Sequence, residues 1–161
     1  MRVPTVLPRV VSLAAAFGVM GSLSAEMTSL KYRTLRDWDV VLPKEQFSRV
    51  SGDLAFTGIP TTFHTKVTGA ALAVDHDGDG ETDVKVTGKD GLVTLRGKSA
   101  AGRKYNYSMR LVNQGGGWHF AASGAVQGKI VDQRIQIIDQ NNNGRYDDYG
   151  KDAMIVGRGK N

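Results

Sequence analysis

The stretch that decides the fold is a strand, a polar loop and a second strand, reading AALAVDHDGDGETDVKV over residues 70–86. The aliphatic residues at 70–74 and 84–86 are typical of β-strands. Between them, oxygen-bearing side chains stand at alternate positions before a glycine, the spacing of a calcium loop. The glycine allows the sharp turn that brings the next backbone carbonyl to the same ion. The stretch therefore predicts a cation site between two strands.

A second stretch, IQIIDQNNNGRYD at residues 135–147, repeats this spacing, and each loop offers five ligand residues. In the first loop they are Asp75, Asp77, Asp79, the backbone carbonyl of Glu81, and Asp83; in the second they are Asp139, Asn141, Asn143, the carbonyl of Arg145, and Asp147, with Asp148 in reserve. Calcium takes six to eight oxygens, so water or a second carboxylate oxygen would complete each shell. Because the second loop carries fewer charges, we expect it to bind calcium more weakly.

Acidic residues are concentrated in these loops, since eight of the 16 lie within residues 75–83 and 139–148. Asp, Asn and Gly are also the residues that ordinary turns prefer, so a metal-free turn is the alternative. Five carboxylates within residues 75–83 would repel one another in such a turn, and a cation removes that penalty. The donors are all oxygen and His76 is expected to point outward, which favours calcium over zinc or copper.

The first loop with its flanking valines, residues 74–84, resembles the DxDxDGxxD calcium loops of FG-GAP and VCBS-type extracellular β-repeats. It is more distantly similar to dockerin and thrombospondin type 3 loops, and the resemblance covers the loops alone. In those families such loops bind calcium to brace structure. The resemblance implies this role for Asp75, Asp77, Asp79 and Asp83, and for Asp139, Asn141, Asn143 and Asp147 as the second set.

The pattern is EF-hand-like but departs from the helical EF-hand, which closes its loop with a bidentate Glu at the twelfth position. This chain has Val86 and Gly150 there. Strand-like sequence also flanks both loops, which disfavours a helix–loop–helix switch.

Alternation of period two, β-branched residues and 20 glycines predict an all-β fold, a small antiparallel sandwich or barrel with the two calcium loops between strands. The predicted strands are residues 63–67, 70–74, 84–87, 92–95, 105–112, 118–122, 130–138 and 153–156. We expect hairpins to join 84–87 to 92–95 and 107–111 to 118–120. Residues 26–53 fit either strands or a short helix.

The first 25 residues have the form of a secretory signal peptide, with Arg2 and Arg9 ahead of an apolar run at residues 10–20 and an Ala at the cleavage site. The remaining 136 residues, 26–161, predict one calcium-binding β-domain in the periplasm or outside the cell. No second apolar segment is long enough to span a membrane. The chain has no cysteine, so disulfides are excluded and bound metal is another source of stability.

The leading functional hypothesis is an exported calcium-binding protein in which the metal is structural. The alternative is a calcium-dependent glycan or matrix interaction module, although alternation favours a core position for Trp38, Trp118, Tyr105 and Tyr107. A hydrolase that uses His64, His76 or His119 is less favoured, because no nucleophile motif accompanies them. We therefore expect no enzyme. The basic residues are scattered, so a nucleic acid partner is not expected.

Overall fold

The computed structural model describes residues 30–35, 45–99, 101–130 and 133–157, and these residues form only β-strands and their connections. The prediction of an all-β antiparallel fold is confirmed. None of the described residues belongs to a helix that is long and apolar enough to cross a membrane. The predicted signal peptide and Trp38 lie outside the described residues.

Thirteen strands follow one another along the chain. They are β1 (Lys31–Thr34), β2 (Ser48–Arg49), β3 (Leu54–Phe56), β4 (Ile59–Phe63), β5 (Thr65–Thr68), β6 (Ala71–Val74), β7 (Val84–Val86), β8 (Asp90–Lys98), β9 (Lys104–Gln114), β10 (Gly117–Ala122), β11 (Gly124–Ile130), β12 (Gln133–Ile138) and β13 (Ala153–Val156). They form four antiparallel sheets with the orders β1-β11-β12-β13, β2-β10-β9-β8, β3-β4 and β5-β6-β7. Within the described ranges no sheet closes on itself, so the architecture is sandwich-like.

The core lies on one face of the β8-β9-β10 sheet. Alternate residues of β9 point into it, and Tyr105, Tyr107, Met109 and Leu111 are at most 6% exposed. They share one hydrophobic cluster with residues of β3, β4, β6 and β7. The small sheets therefore cover this face of the large sheet.

Three of the four aromatic residues that alternation places in the core lie within the described residues. Trp118 is 2% exposed, and Tyr105 and Tyr107 are 6% and 1% exposed. Their core position is confirmed. These rings form no exposed platform for a ligand.

One predicted hairpin is confirmed. Gln114 of β9 lies opposite Gly117 of β10, and the two residues between them, Gly115 and Gly116, have φ angles of 59° and 77°. Two consecutive positive φ angles define the type I′ turn that matches the twist of paired strands.

The other predicted hairpin, between residues 84–87 and 92–95, is wrong. β7 pairs with β6, whereas β8 pairs with β9 in a different sheet. A Cβ on Gly91 would come within 2.4 Å of the Val86 side chain, so the chain turns sharply where it passes between the two sheets. Glycine in a connection marks the turn but does not tell a hairpin from a crossing between sheets.

Two predicted single strands are each divided in the structure. Residues 130–138 contain the end of β11 and all of β12, and Ile130 of β11 pairs with Gln133 of β12. Residues 63–67 contain the end of β4 and part of β5, separated by His64. The His64 carbonyl accepts a hydrogen bond from the Asp75 N–H at 2.8 Å, so the break carries a contact to the first polar loop.

Candidate metal centre

Each acidic loop closes a hairpin between paired neighbouring strands. Loop 1, residues 75–83, joins β6 to β7, where Val74 pairs with Val84. Loop 2, residues 139–152, joins β12 to β13, where Ile138 pairs with Ala153. Because strand pairing holds the two ends of each loop together, the loop side chains are confined to a short closed segment.

The first residue of each loop is a buried aspartate that organises the backbone behind it. Asp75 is 0% exposed and Asp139 is 1% exposed. In loop 1 the Gly80 N–H donates to Asp75 Oδ2 at 3.0 Å, and in loop 2 the Gly144 N–H donates to Asp139 Oδ2 at 2.7 Å. Aspartate and glycine hold positions one and six of both loops. The glycine that the sequence pattern requires therefore makes the same bond twice.

A second hydrogen bond also recurs between positions five and seven. The Glu81 N–H donates to Asp79 Oδ1 at 2.8 Å, and the Arg145 N–H donates to Asn143 Oδ1 at 2.8 Å. Two sequences that share only the spacing of their oxygen-bearing residues and glycine thus fold into the same turn.

In loop 1 the structure brings the predicted carboxylates together. Asp75, Asp77 and Asp79 each offer an oxygen, and these three atoms lie within 4.8 Å of one another. Asp77 also belongs to a second group of that size with His76 and Asp83. Asp83 therefore lies next to the carboxylate cluster through Asp77.

The expectation that His76 points outward is wrong. Its Nδ1 lies 2.5 Å from Asp83 Oδ2, and its backbone N–H donates to the same oxygen at 3.0 Å. The His76 side chain is 25% exposed, so the ring folds back over the loop. These hydrogen bonds lower the pKa of Asp83. Asp83, which the sequence pattern assigns to the metal, is therefore hydrogen-bonded to His76, a residue to which that pattern gives no role.

In loop 2 the two adjacent aspartates point to different partners. Asp147 pairs with Arg145, whose Nε and Nη2 each lie 2.9 Å from one of its carboxylate oxygens. Asp148 instead accepts hydrogen bonds from the amides of Asn141, at 3.1 Å, and of Asn143. The structure thus places Asp148, rather than Asp147, against the two predicted amide ligands.

Two oxygen atoms of loop 2 fit the donor set of a hard cation. Asn141 Oδ1 and Asp152 Oδ1 are buried and have no hydrogen-bond partner among the described residues. The other oxygen of Asp152 accepts the Asp148 N–H at 2.9 Å. Buried oxygens without a donor are costly, and a cation that contacted either atom would remove that cost. Sequence spacing missed Asp152, because it lies beyond the twelve-residue pattern.

Burial disfavours the ionised form of two carboxyl groups in loop 2. Burial raises the pKa of Asp139, although the Gly144 N–H and the Tyr107 hydroxyl, at 2.9 Å, donate to it and oppose that shift. Burial likewise raises the pKa of Asp152, and the charge of Asp148 adds to the effect. A bound cation would favour the ionised form of both groups.

The β3–β4 hairpin packs against both loops. A Cβ on Gly78 of loop 1 would lie 2.4 Å from Thr61 Cγ2, and one on Gly144 of loop 2 would lie 2.9 Å from the Ile59 side chain. The Gly58 N–H also donates to the Asn143 carbonyl at 2.9 Å. One hairpin therefore supports both loops from the core side.

The three histidines lie in separate local contacts. His64 Nδ1 is 2.8 Å from Asp53 Oδ2, and His119 Nδ1 is 3.3 Å from the Gly117 carbonyl, while His76 contacts Asp83. No serine hydroxyl is hydrogen-bonded to a histidine in the part of the chain that the structure describes.

Comparison with protein-family models, with curated proteins and with solved structures found no match for this chain. The loops are therefore interpreted from their own residues and geometry.

Proposed function

We propose that this protein is an exported calcium-binding β-domain in which two calcium ions brace the hairpin loops. The observation that carries the proposal is the repeated turn, in which a buried aspartate at position one accepts the N–H of a glycine at position six in both loops. In loop 1 the side chains at positions one, three and five each bring an oxygen within 4.8 Å of the others. Oxygen ligands in this arrangement suit calcium.

In loop 1 the ion would be held by Asp75, Asp77, Asp79 and the carbonyl of Glu81. Asp83 would become a further ligand once its hydrogen bonds to His76 were broken. Calcium would neutralise the mutual repulsion of the loop carboxylates and tie β6 to β7. Its binding free energy adds to the folding free energy because the unfolded chain lacks the converged ligands.

In loop 2 the ligands would be Asp139, Asn141, Asn143 and the carbonyl of Arg145. We assign the closing carboxylate to Asp148 in place of Asp147, because Asp148 faces the amides while Asp147 faces Arg145. The buried Asp152 Oδ1 supplies a further oxygen. This set has fewer exposed charges than that of loop 1, so we expect weaker binding.

The test is calorimetric titration of calcium into EDTA-stripped protein, paired with thermal unfolding. We expect two sites and a melting temperature that rises by roughly 5–15 °C at saturating calcium. Asp77→Ala should abolish the tighter site. Asp77 is suited to this test because no hydrogen bond of the described chain uses its side chain.

Glu81→Ala is the matched control. It removes the same charge from the same loop, but only the backbone carbonyl of Glu81 is assigned to the ion. The tighter site should survive with at most a few-fold loss of affinity. A stripped protein that takes up no calcium and melts at an unchanged temperature would refute the proposal.

A further inference from the structure

A groove lies on the β2-β10-β9-β8 sheet, on the face opposite the core. Residues that alternate with the core positions line it from β8 and β9, where Thr94 pairs with Ser108 and Arg96 pairs with Asn106. β1 forms the other wall. The cavity has a volume of about 640 Å³ and is lined by Tyr32, Arg33, Thr34, Leu92, Thr94, Arg96, Asn106 and Ser108. This size lies within the range of small-molecule sites, about 300–1,000 Å³.

The charge of the groove is positive. Its charged lining residues are Arg33 and Arg96, and no carboxylate lines it among the described residues. Arg33 donates one hydrogen bond to Gln127 Oε1 at 3.1 Å, and its other guanidinium donors have no partner among the described residues. The described chain offers the Arg96 side chain neither a hydrogen bond nor an ion pair. Guanidinium groups bind planar oxyanions through paired hydrogen bonds.

A chain of three hydroxyl groups lies at the base of the groove. Ser108 Oγ is 2.7 Å from Thr34 Oγ1 and 2.8 Å from Thr94 Oγ1, and Ser108 is 2% exposed. Three hydroxyls carry three protons, and the two links between them consume two. One proton therefore remains to donate to an acceptor in the groove. The Asn106 amide adds another donor and acceptor.

Apolar surface completes the lining. Leu92 is 43% exposed and Tyr32 is 41% exposed, so both offer contact area to a ligand. The Tyr32 ring is held on its other side by an edge contact with Tyr146 of loop 2, with ring centroids 6.2 Å apart. The Arg96 N–H is likewise held, by the His76 carbonyl of loop 1 at 2.7 Å. Both loops therefore contact the walls of the groove, loop 2 through the Tyr32 ring and loop 1 through the Arg96 backbone.

We propose that this groove binds a hydroxyl-rich small molecule that carries an oxyanion, of the class of sugar acids and sugar phosphates. The two arginines bind the oxyanion, the hydroxyl chain and Asn106 bind the sugar hydroxyls, and Tyr32 and Leu92 contact the carbon face. The site uses no calcium ligand, so it stands independently of the function proposed for the loops.

The test titrates the full chain with digalacturonate, with galactose 1-phosphate and with neutral galactobiose, each in EDTA and at fixed free calcium. We expect the anionic probes to bind in both buffers and the neutral disaccharide to bind at least tenfold more weakly. A preference between the two anionic probes identifies whether the natural oxyanion is a carboxylate or a phosphate.

Arg96→Gln and Arg33→Gln should each weaken the anionic probe about tenfold or more, the loss expected for a charged hydrogen-bonded partner. Lys85→Gln is the matched control, since it removes one positive charge from β7, away from the groove, and should leave affinity unchanged. Equal binding of charged and neutral probes, or equal affinity in the arginine and lysine variants, would overturn the proposal. Binding that requires calcium and ignores both arginines would overturn it as well.

Discussion

Loops 1 and 2 form the same turn from different residues, because loop 1 is rich in carboxylates and loop 2 is rich in amides. Loop 1 closes in nine residues, 75–83, and most of its carboxylates are exposed. Loop 2 takes fourteen residues, 139–152, and has half-buried amides in place of the carboxylates at positions three and five. Loop 1 gathers exposed carboxylates close together, whereas loop 2 packs against the β3–β4 hairpin. The shared spacing fixes the turn, and the surroundings decide what stabilises it.

The largest expected difference lies at the glycine of position six. Gly144 has a φ of 80° and is packed so that a Cβ would lie 2.9 Å from Ile59 and Phe56, whereas Gly80 has a φ of 97° and open space around it. Gly144→Ala should lower the free energy of unfolding by about 2–4 kcal/mol, because overpacking adds to backbone strain. Gly80→Ala should cost only the strain, about 1 kcal/mol. Urea unfolding of both variants in EDTA measures the difference, and equal losses would contradict it.

A smaller effect is expected at two tyrosines, Tyr107, which contacts loop 2, and Tyr146, which belongs to it. The Tyr107 hydroxyl donates to the buried Asp139 at 2.9 Å, while the Tyr146 hydroxyl is buried without a partner among the described residues. Tyr107→Phe should destabilise the protein by about 1–3 kcal/mol, since it leaves a buried carboxylate short of a donor. Tyr146→Phe is the control and should be neutral or slightly stabilising. Thermal unfolding of the pair would contradict this if Tyr146→Phe were the more harmful.

The next prediction compares the calcium affinity of variants at Asp147 and Asp148, the adjacent aspartates of loop 2. Asp148→Asn should weaken the loop 2 site about tenfold or more, because it replaces the carboxylate that faces the amides. Asp147→Asn, with the same charge change, should alter affinity by less than about threefold, the scale of an exposed ion pair. Calorimetry on both variants decides the assignment. The reverse order of losses would return the closing role to Asp147.

The smallest effect is a pH dependence of stability that differs in sign between Asp152 of loop 2 and Asp83 of loop 1 in metal-free protein. Asp152 has a raised pKa in the folded state, so its contribution to stability is present at low pH and is lost as pH rises through that pKa. Asp83 has a lowered pKa, so its contribution is present above the unfolded pKa and is lost as pH falls.

Urea unfolding in EDTA between about pH 4 and pH 7 tests this with one variant for each loop. Asp152→Asn should raise stability relative to wild type more at pH 7 than at pH 4. Asp83→Asn should lower stability relative to wild type more at pH 7 than at pH 4. Identical pH profiles for the two variants would contradict the opposite pKa shifts of Asp152 and Asp83.

The sequence predicted much of the local structure for reasons that are local. Period-two alternation located the β9 residues that enter the core, and the glycines at residues 115–117 located the hairpin between β9 and β10. It failed at residues 84–95, because a turn signal does not reveal which strand will be the hydrogen-bonding partner. It also predicted one strand at residues 130–138, since aliphatic residues stand both at the end of β11 and within β12.

The sequence by itself determined the class of fold and the two turns, because residue spacing fixes both strand periodicity and the position of a glycine with positive φ. Only the tertiary structure decided which oxygens face one another. His76 turns onto Asp83, Arg145 draws Asp147 aside, and Asp152 enters loop 2 from beyond the pattern. Only the fold, too, brought β1 beside β8 and β9 to form the basic groove. Side-chain direction and strand neighbours depend on contacts between residues far apart in the chain, and spacing along the sequence does not encode them.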